Sequence, residues 1–122
     1  TGEILRRIEA KGYTIKGLKL MVASRDLLAE HYVDHKDKPF FESLLEFMSS
    51  GPVVAMVIEG QRVVEGMRVL MGSTDPTTAP AGTIRGDLGR AWDSPHIENL
   101  VHGSDSVDSA KREISLWFPE IY

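Results

Sequence analysis

The chain is predicted to be an α+β domain, and three observations carry that prediction. Pro52-Val53-Val54-Ala55-Met56-Val57-Ile58 is a continuous, β-branched apolar run that reads as a buried strand. Apolar residues at helical spacing flank it on both sides. The order of elements is helix, strand, helices, strand, helix, loop, strand, helix, with no internal repeat or low-complexity tract. At 122 residues the chain fits one domain. Its 42% hydrophobic and 26% charged residues are the balance of a globular protein able to bury a core.

Taken in order, Ile4, Leu5 and Ile8 share a helical face, and Gly12 supplies a stop. From Tyr13 to Val22, the residues Ile15, Leu18, Leu20 and Val22 suit a strand with one irregularity near Gly17. Ser24 is an N-cap for a helix carrying Leu27, Leu28, His31 and Tyr32. Pro39 opens a second short helix, Phe40 to Met48, which ends at Ser49-Ser50-Gly51. The apolar run follows, closed by Gly60. Val63, Val64, Met67, Leu70 and Met71 then have helical spacing up to Gly72. Ser73 to Pro95 is rich in Gly, Pro, Thr and Asp, and a loop of that length usually carries function or is disordered. Asn99-Leu100-Val101 reads as a short strand. The last helix, roughly Ser106 to Phe118, places Val107, Ala110, Ile114 and Trp117 on one face.

Composition excludes several classes of function. A net charge of −4 argues against a general nucleic-acid or anionic-membrane surface, although a few local cations suffice for small phosphorylated ligands. Without cysteine there is no disulfide framework and no thiolate metal site. No apolar run approaches the roughly 20 residues of a membrane helix. The N-terminus opens directly into amphipathic periodicity without a signal-peptide core, so a cytoplasmic location is expected.

Chemistry concentrates in Asn99-Leu100-Val101-His102-Gly103-Ser104-Asp105-Ser106. A histidine at the end of an apolar strand, followed at once by glycine, exposes its ring at a turn. Neutral imidazole keeps one unprotonated nitrogen and attacks phosphorus without a further base. A carboxylate on the other nitrogen would fix the tautomer, and spacing leaves Glu113 and Asp105 as alternatives. Taken alone, the segment better suits a histidine that caps the next helix or is satisfied in the core. A second group, Arg68, Thr74 and Arg85, has the donors that grip phosphate oxygens, though each arginine by itself also reads as a solvated residue. His31 and His35 stand four apart like a pair of metal ligands, but no third ligand accompanies them and structural zinc is not expected. Phe40-Phe41 suits a core pair, or one ring on which a base stacks.

Together these segments resemble the nucleoside diphosphate kinase family along essentially the whole chain. The match lies in Gly2-Glu3-Ile4, Lys38-Pro39-Phe40-Phe41, Ser50 to Val57, Gly82-Thr83-Ile84-Arg85-Gly86-Asp87 and, most specifically, the His102-Gly103-Ser104-Asp105-Ser106 run. The resemblance implies a ferredoxin-like α/β sandwich with an antiparallel sheet and a ping-pong reaction. In that reaction a nucleoside triphosphate, mainly ATP, gives its γ-phosphoryl group to His102, and a nucleoside diphosphate then takes it. It further implies that Glu113 orients the imidazole, with Ser104 beside it. His35, Arg68, Thr74 and Arg85 would hold phosphates with Mg²⁺ bridging the phosphate oxygens. Phe40 would stack on the base, Leu44 line that side, Asn99 bind the sugar hydroxyl, and Tyr32 support the site. A homo-oligomer is implied. Because the chain ends soon after Trp117-Phe118-Pro119, like short bacterial forms, a hexamer is favoured over a tetramer.

Two departures accompany the resemblance. The family's first strand, with a Lys-Pro-Asp motif near its end, has no counterpart, so the sequence is expected to be N-terminally incomplete and to leave neighbouring strands unpaired. Loss of that lysine makes an impaired nucleotide-binding or assembly module the alternative reading. The segment from Leu88 to Glu98 is longer than usual, with His96 or Ile97 as candidates to face Phe40 and Trp92 as a candidate subunit contact. A nucleic-acid-binding regulator is a third possibility that the acidic balance disfavours.

Overall fold

The computed structural model describes residues 1–90 and 100–121, so the expectations for Trp92, His96, Ile97 and Asn99 lie outside the described residues. Two strands, β1 (Thr14–Met21) and β2 (Val53–Glu59), pair antiparallel. Around them lie α1 (Gly2–Ala10), α2 (Arg25–His31), α3 (Phe41–Met48), α4 (Val63–Met71), α5 (Ile84–Leu88) and α6 (Val107–Trp117), with a 3₁₀ turn at Val33–His35. The α+β class and each long element therefore stand as the sequence predicts.

The irregularity near Gly17 is a β-bulge. Ile15 pairs with Ile58 and Gly17 with Val57, so Lys16 is the extra residue. The apolar residues of this run do not share the covered face. Leu18, Leu20 and Val22 are 51%, 72% and 62% exposed, and Val22 lies beyond the end of β1. The covered side is the one on which Phe118 sits, where a Cβ added at Gly17 would lie 3.1 Å from its ring.

Two corrections concern the second half of the chain. The stretch read as one long loop contains α5, started by Thr83, whose hydroxyl accepts from the Gly86 amide at 3.0 Å. Leu100 and Val101 are not in a strand. Among the described residues they have no strand to pair with, and without a ladder an isolated extended segment is not a strand.

The core that supports the site lies where α2 meets α3 and α6. Ala23, Leu28, Tyr32 and Leu45 are buried there, with Phe41, Leu44 and Trp117 packed on them. A groove of about 1430 Å³ runs between the apolar residues of β2 and those of α4 and α6, including Met67, Met71 and Ile114, and reaches His102. Among the described residues the edge of β2 away from β1 carries no strand.

Candidate functional site

Helix α6 is the frame of the site. Ser106 caps it, accepting from the Ser109 amide at 3.0 Å, so the extended residues before it turn directly into the helix. Glu113 and Trp117, four residues apart, share the face turned toward His102. Ser104 Oγ donates to Glu113 Oε1 at 2.6 Å. Asp105, the alternative orienting carboxylate, is exposed and held below its usual range by the Ser109 and Ser106 side chains. Of the two, Glu113 is the one the fold brings to Ser104.

His102 stands in a cluster of rings. Its centroid is 5.3 Å from His31 and 5.4 Å from Tyr32, both edge-to-face at 66°. Crowding of the ring by protein atoms, then the positive charge His31 would carry, pulls His102 down to about 4, while Glu113 acts in the opposite direction. The residue keeps an exposed edge, so water relieves part of that burial cost. The direction still leaves the imidazole uncharged at neutral pH, with a lone pair available.

Arg85 occupies an unexpected place. It is 8% exposed, and its Nη1 and Nη2 donate to the Gly72 and Val101 carbonyls, each at 3.0 Å, while Nε is buried without a partner. One guanidinium thus ties the turn after α4 to the residue preceding His102. Burial, then the like charge of Arg68, pulls Arg85 below its ordinary value. Two cations that raise one another's energy favour an anion between them. The tie depends on Gly72, whose φ of 91° suits glycine and whose Cβ would fall 2.5 Å from Thr83 Oγ1. A Cβ at Gly103 would meet Met71 Cε at 2.7 Å, so the glycine after His102 lets that methionine close beneath it.

The other predicted residues fall into two groups. Arg68, in the last turn of α4, and Thr74 are exposed. Tyr32 is buried at 6%, and His35 lies 6.3 Å from its ring and 5.8 Å from that of Phe40. Phe40 is half-buried at the N-cap of α3, with Lys38 Nζ 5.8 Å from its centroid, and Leu44 is half-buried one turn on. His31 ends α2 and His35 sits in the 3₁₀ turn, and among the described residues no three His, Asp or Glu groups converge as a metal cage. Sequence reasoning missed the interaction that uses His31, a hydrogen bond from Trp117 Nε1 to its Nδ1 at 2.9 Å.

The family model for nucleoside diphosphate kinase matches residues 1–121. The chain belongs to the nucleoside diphosphate kinase family. It is 58% identical over 120 residues to the nucleoside diphosphate kinase of Mycobacterium avium, covering 98% of this chain and 85% of that one. With human nucleoside diphosphate kinase A it shares 55% identity over 121 residues, covering 96% and 74%. The halophilic nucleoside diphosphate kinase from Halobacterium salinarum, solved in complex with CDP, superposes with a TM-score of 0.89 at 47% identity, over 96% of this chain and 76% of that one. Membership of the nucleoside diphosphate kinase family makes the chain a phosphotransferase, and the reading as an impaired module finds no support among these relatives. No helix among the described residues is long and apolar enough to cross a membrane.

Proposed function

We propose that this chain performs the nucleoside diphosphate kinase reaction through a phosphohistidine at His102. The observation that carries this reading is the His102 ring, met edge-on by His31 and Tyr32 beside the Ser104–Glu113 pair. In the first half-reaction the free nitrogen of His102 attacks the γ-phosphorus of a nucleoside triphosphate. The nitrogen–phosphorus bond forms while the bond to the bridging oxygen breaks, and the diphosphate leaves with that electron pair. In the second, a terminal oxygen of another diphosphate attacks the same phosphorus, and its bond to His102 breaks to restore the lone pair.

Arg68, Thr74, Arg85 and His35 are assigned to the phosphates. Arg85 also sets the distance between two of the site's segments. Phe40 stacks on the base and Leu44 lines that side, which accepts any base because every base has a π-face. Tyr32 supports His102 from α2, and Asn99 is assigned to the sugar. On this reading Mg²⁺ arrives on the nucleotide. When bound it neutralises charge on the phosphate oxygens. A homo-oligomer, hexameric rather than tetrameric, and a cytoplasmic location complete the proposal.

The test is transfer of label from γ-labelled ATP with Mg²⁺, beside a His102→Ala variant. The expected product is an acid-labile, base-stable label that the variant lacks and added GDP discharges. A folded chain that takes no label, or a variant that still takes it, overturns the assignment.

A further inference from the structure

We propose that His31 is a positioning residue for His102. On this reading the Trp117 indole locks His31 into one neutral tautomer, and the locked ring holds His102 edge-on with its reactive nitrogen free. The proposal rests on the assignment of His102 as phosphoryl carrier and adds a residue that acts through it.

The geometry is specific. An indole N–H only donates, so the Nδ1 that accepts from it must be unprotonated, and the single proton of His31 resides on Nε2. Protonating His31 would turn Nδ1 into a donor facing a donor, so the bond selects both charge state and tautomer. The backbone beneath is held as well. Arg112 Nη1 and Nη2 donate to the carbonyls of Glu30 and His31 at 3.0 and 3.2 Å, which ties the end of α2 to α6. His31 then meets three rings edge-on, with centroids 4.6 Å to Tyr32, 5.3 Å to His102 and 5.6 Å to Trp117.

The charged and titratable groups around the pair come from every neighbouring element. They are Tyr32 on the α2 side, His35 in the 3₁₀ turn, Arg85 on α5, and Arg112 and Glu113 on α6. Burial, then the charge of Arg112, pulls His31 down to about 4, in agreement with the tautomer lock. The consequence for transfer is directional. An imidazole attacks only when its free nitrogen points along the line of displacement, and a half-turn of the ring puts a carbon where each nitrogen stood. The edges of His31 and Tyr32 oppose that turn.

The test compares the full chain with Trp117→Phe and His31→Asn, following the rate constant of phosphoenzyme formation from γ-labelled ATP across pH. Asn presents an amide oxygen near the place of Nδ1, so the indole stays bonded while the ring and its titration are lost. Both variants are expected to lose about tenfold in that rate constant, with KM within about twofold. Trp117→Phe is also expected to shift the acid limb upward by about one unit, toward the ordinary imidazole value. The ¹⁵N spectrum of the wild-type chain is expected to show His31 protonated on Nε2 alone at neutral pH. A proton on Nδ1, or wild-type rates and an unmoved acid limb in folded His31→Asn, overturns the proposal even if Trp117→Phe fails to fold. A folded wild type that takes no label overturns the His102 assignment and this proposal together, whereas labelled wild type with unaffected variants overturns this proposal alone.

Discussion

On the α6 side of His102 the polar groups are already engaged with one another, and on the α4 side they are open. Ser104 is on Glu113, Trp117 on His31, and Arg112 on the end of α2. Across the ring, Arg68 and Thr74 stand exposed, while Arg85, buried with two nitrogens on the Gly72 and Val101 carbonyls, counts with the engaged groups. The difference separates two tasks that phosphoryl transfer requires. The nucleophile must be aimed before the substrate arrives, so its contacts are internal to the protein. Phosphate oxygens are ligands that come and go, so Arg68 and Thr74, proposed to meet them, stand open to solvent.

Substitutions should divide along the same line. His102→Ala removes the proposed nucleophile and is expected to lower kcat at least roughly a thousandfold with stability near wild type, read by steady-state kinetics beside calorimetry. Arg85→Ala cuts two charge-assisted bonds at a buried position and should cost about 2–4 kcal/mol in denaturant unfolding, with a fall in kcat as the His102 segment loosens. Arg68→Ala belongs to the open side. Its KM for nucleotide should rise about tenfold while stability changes by less than about 0.5 kcal/mol. A stability loss there as large as that of Arg85→Ala would erase the distinction between the two sides.

The smallest effect is in pH. His31 and His102 are both pulled to about 4 in the folded chain, below the ordinary imidazole value of about 6.5. The unfolded chain therefore binds more protons between those values, and folding is disfavoured as pH falls from about 6.5 to 4, with the full contribution retained above. Glu3, held at about 2 by Arg6 and then Arg7, loses its contribution only below its own ordinary value of 4.5. Calorimetry should show Tm falling in the upper window, less steeply in His31→Asn.

Much of this was legible from residue order. Periodicity located the five longer helices, Ser24 marked an N-cap, and the β-branched run located β2. The five residues of α5 escaped because Ile84–Leu88 is too short to show a period, and Thr83 was its only start signal. The exposed side of β1 escaped because its apolar residues change parity between Ile15 and Leu18 while exposure keeps one alternation along the strand, and pattern alone does not say which side Phe118 will cover. In the site, the His102 segment carried its own signature. The carbonyl clamp of Arg85 and the indole bond of His31 did not, since each joins residues distant in the chain.

That distance has a consequence for the order in which the molecule is made. The bonds from Arg112 and Trp117 back to Glu30 and His31 close loops of 81 to 86 residues, and their donors lie within the last eleven positions of the sequence. On the ribosome α1 through α5 emerge while His102 still lacks its frame, and the site is assembled only when α6 docks. Phosphotransfer in a nascent chain is therefore a report on the docking of α6.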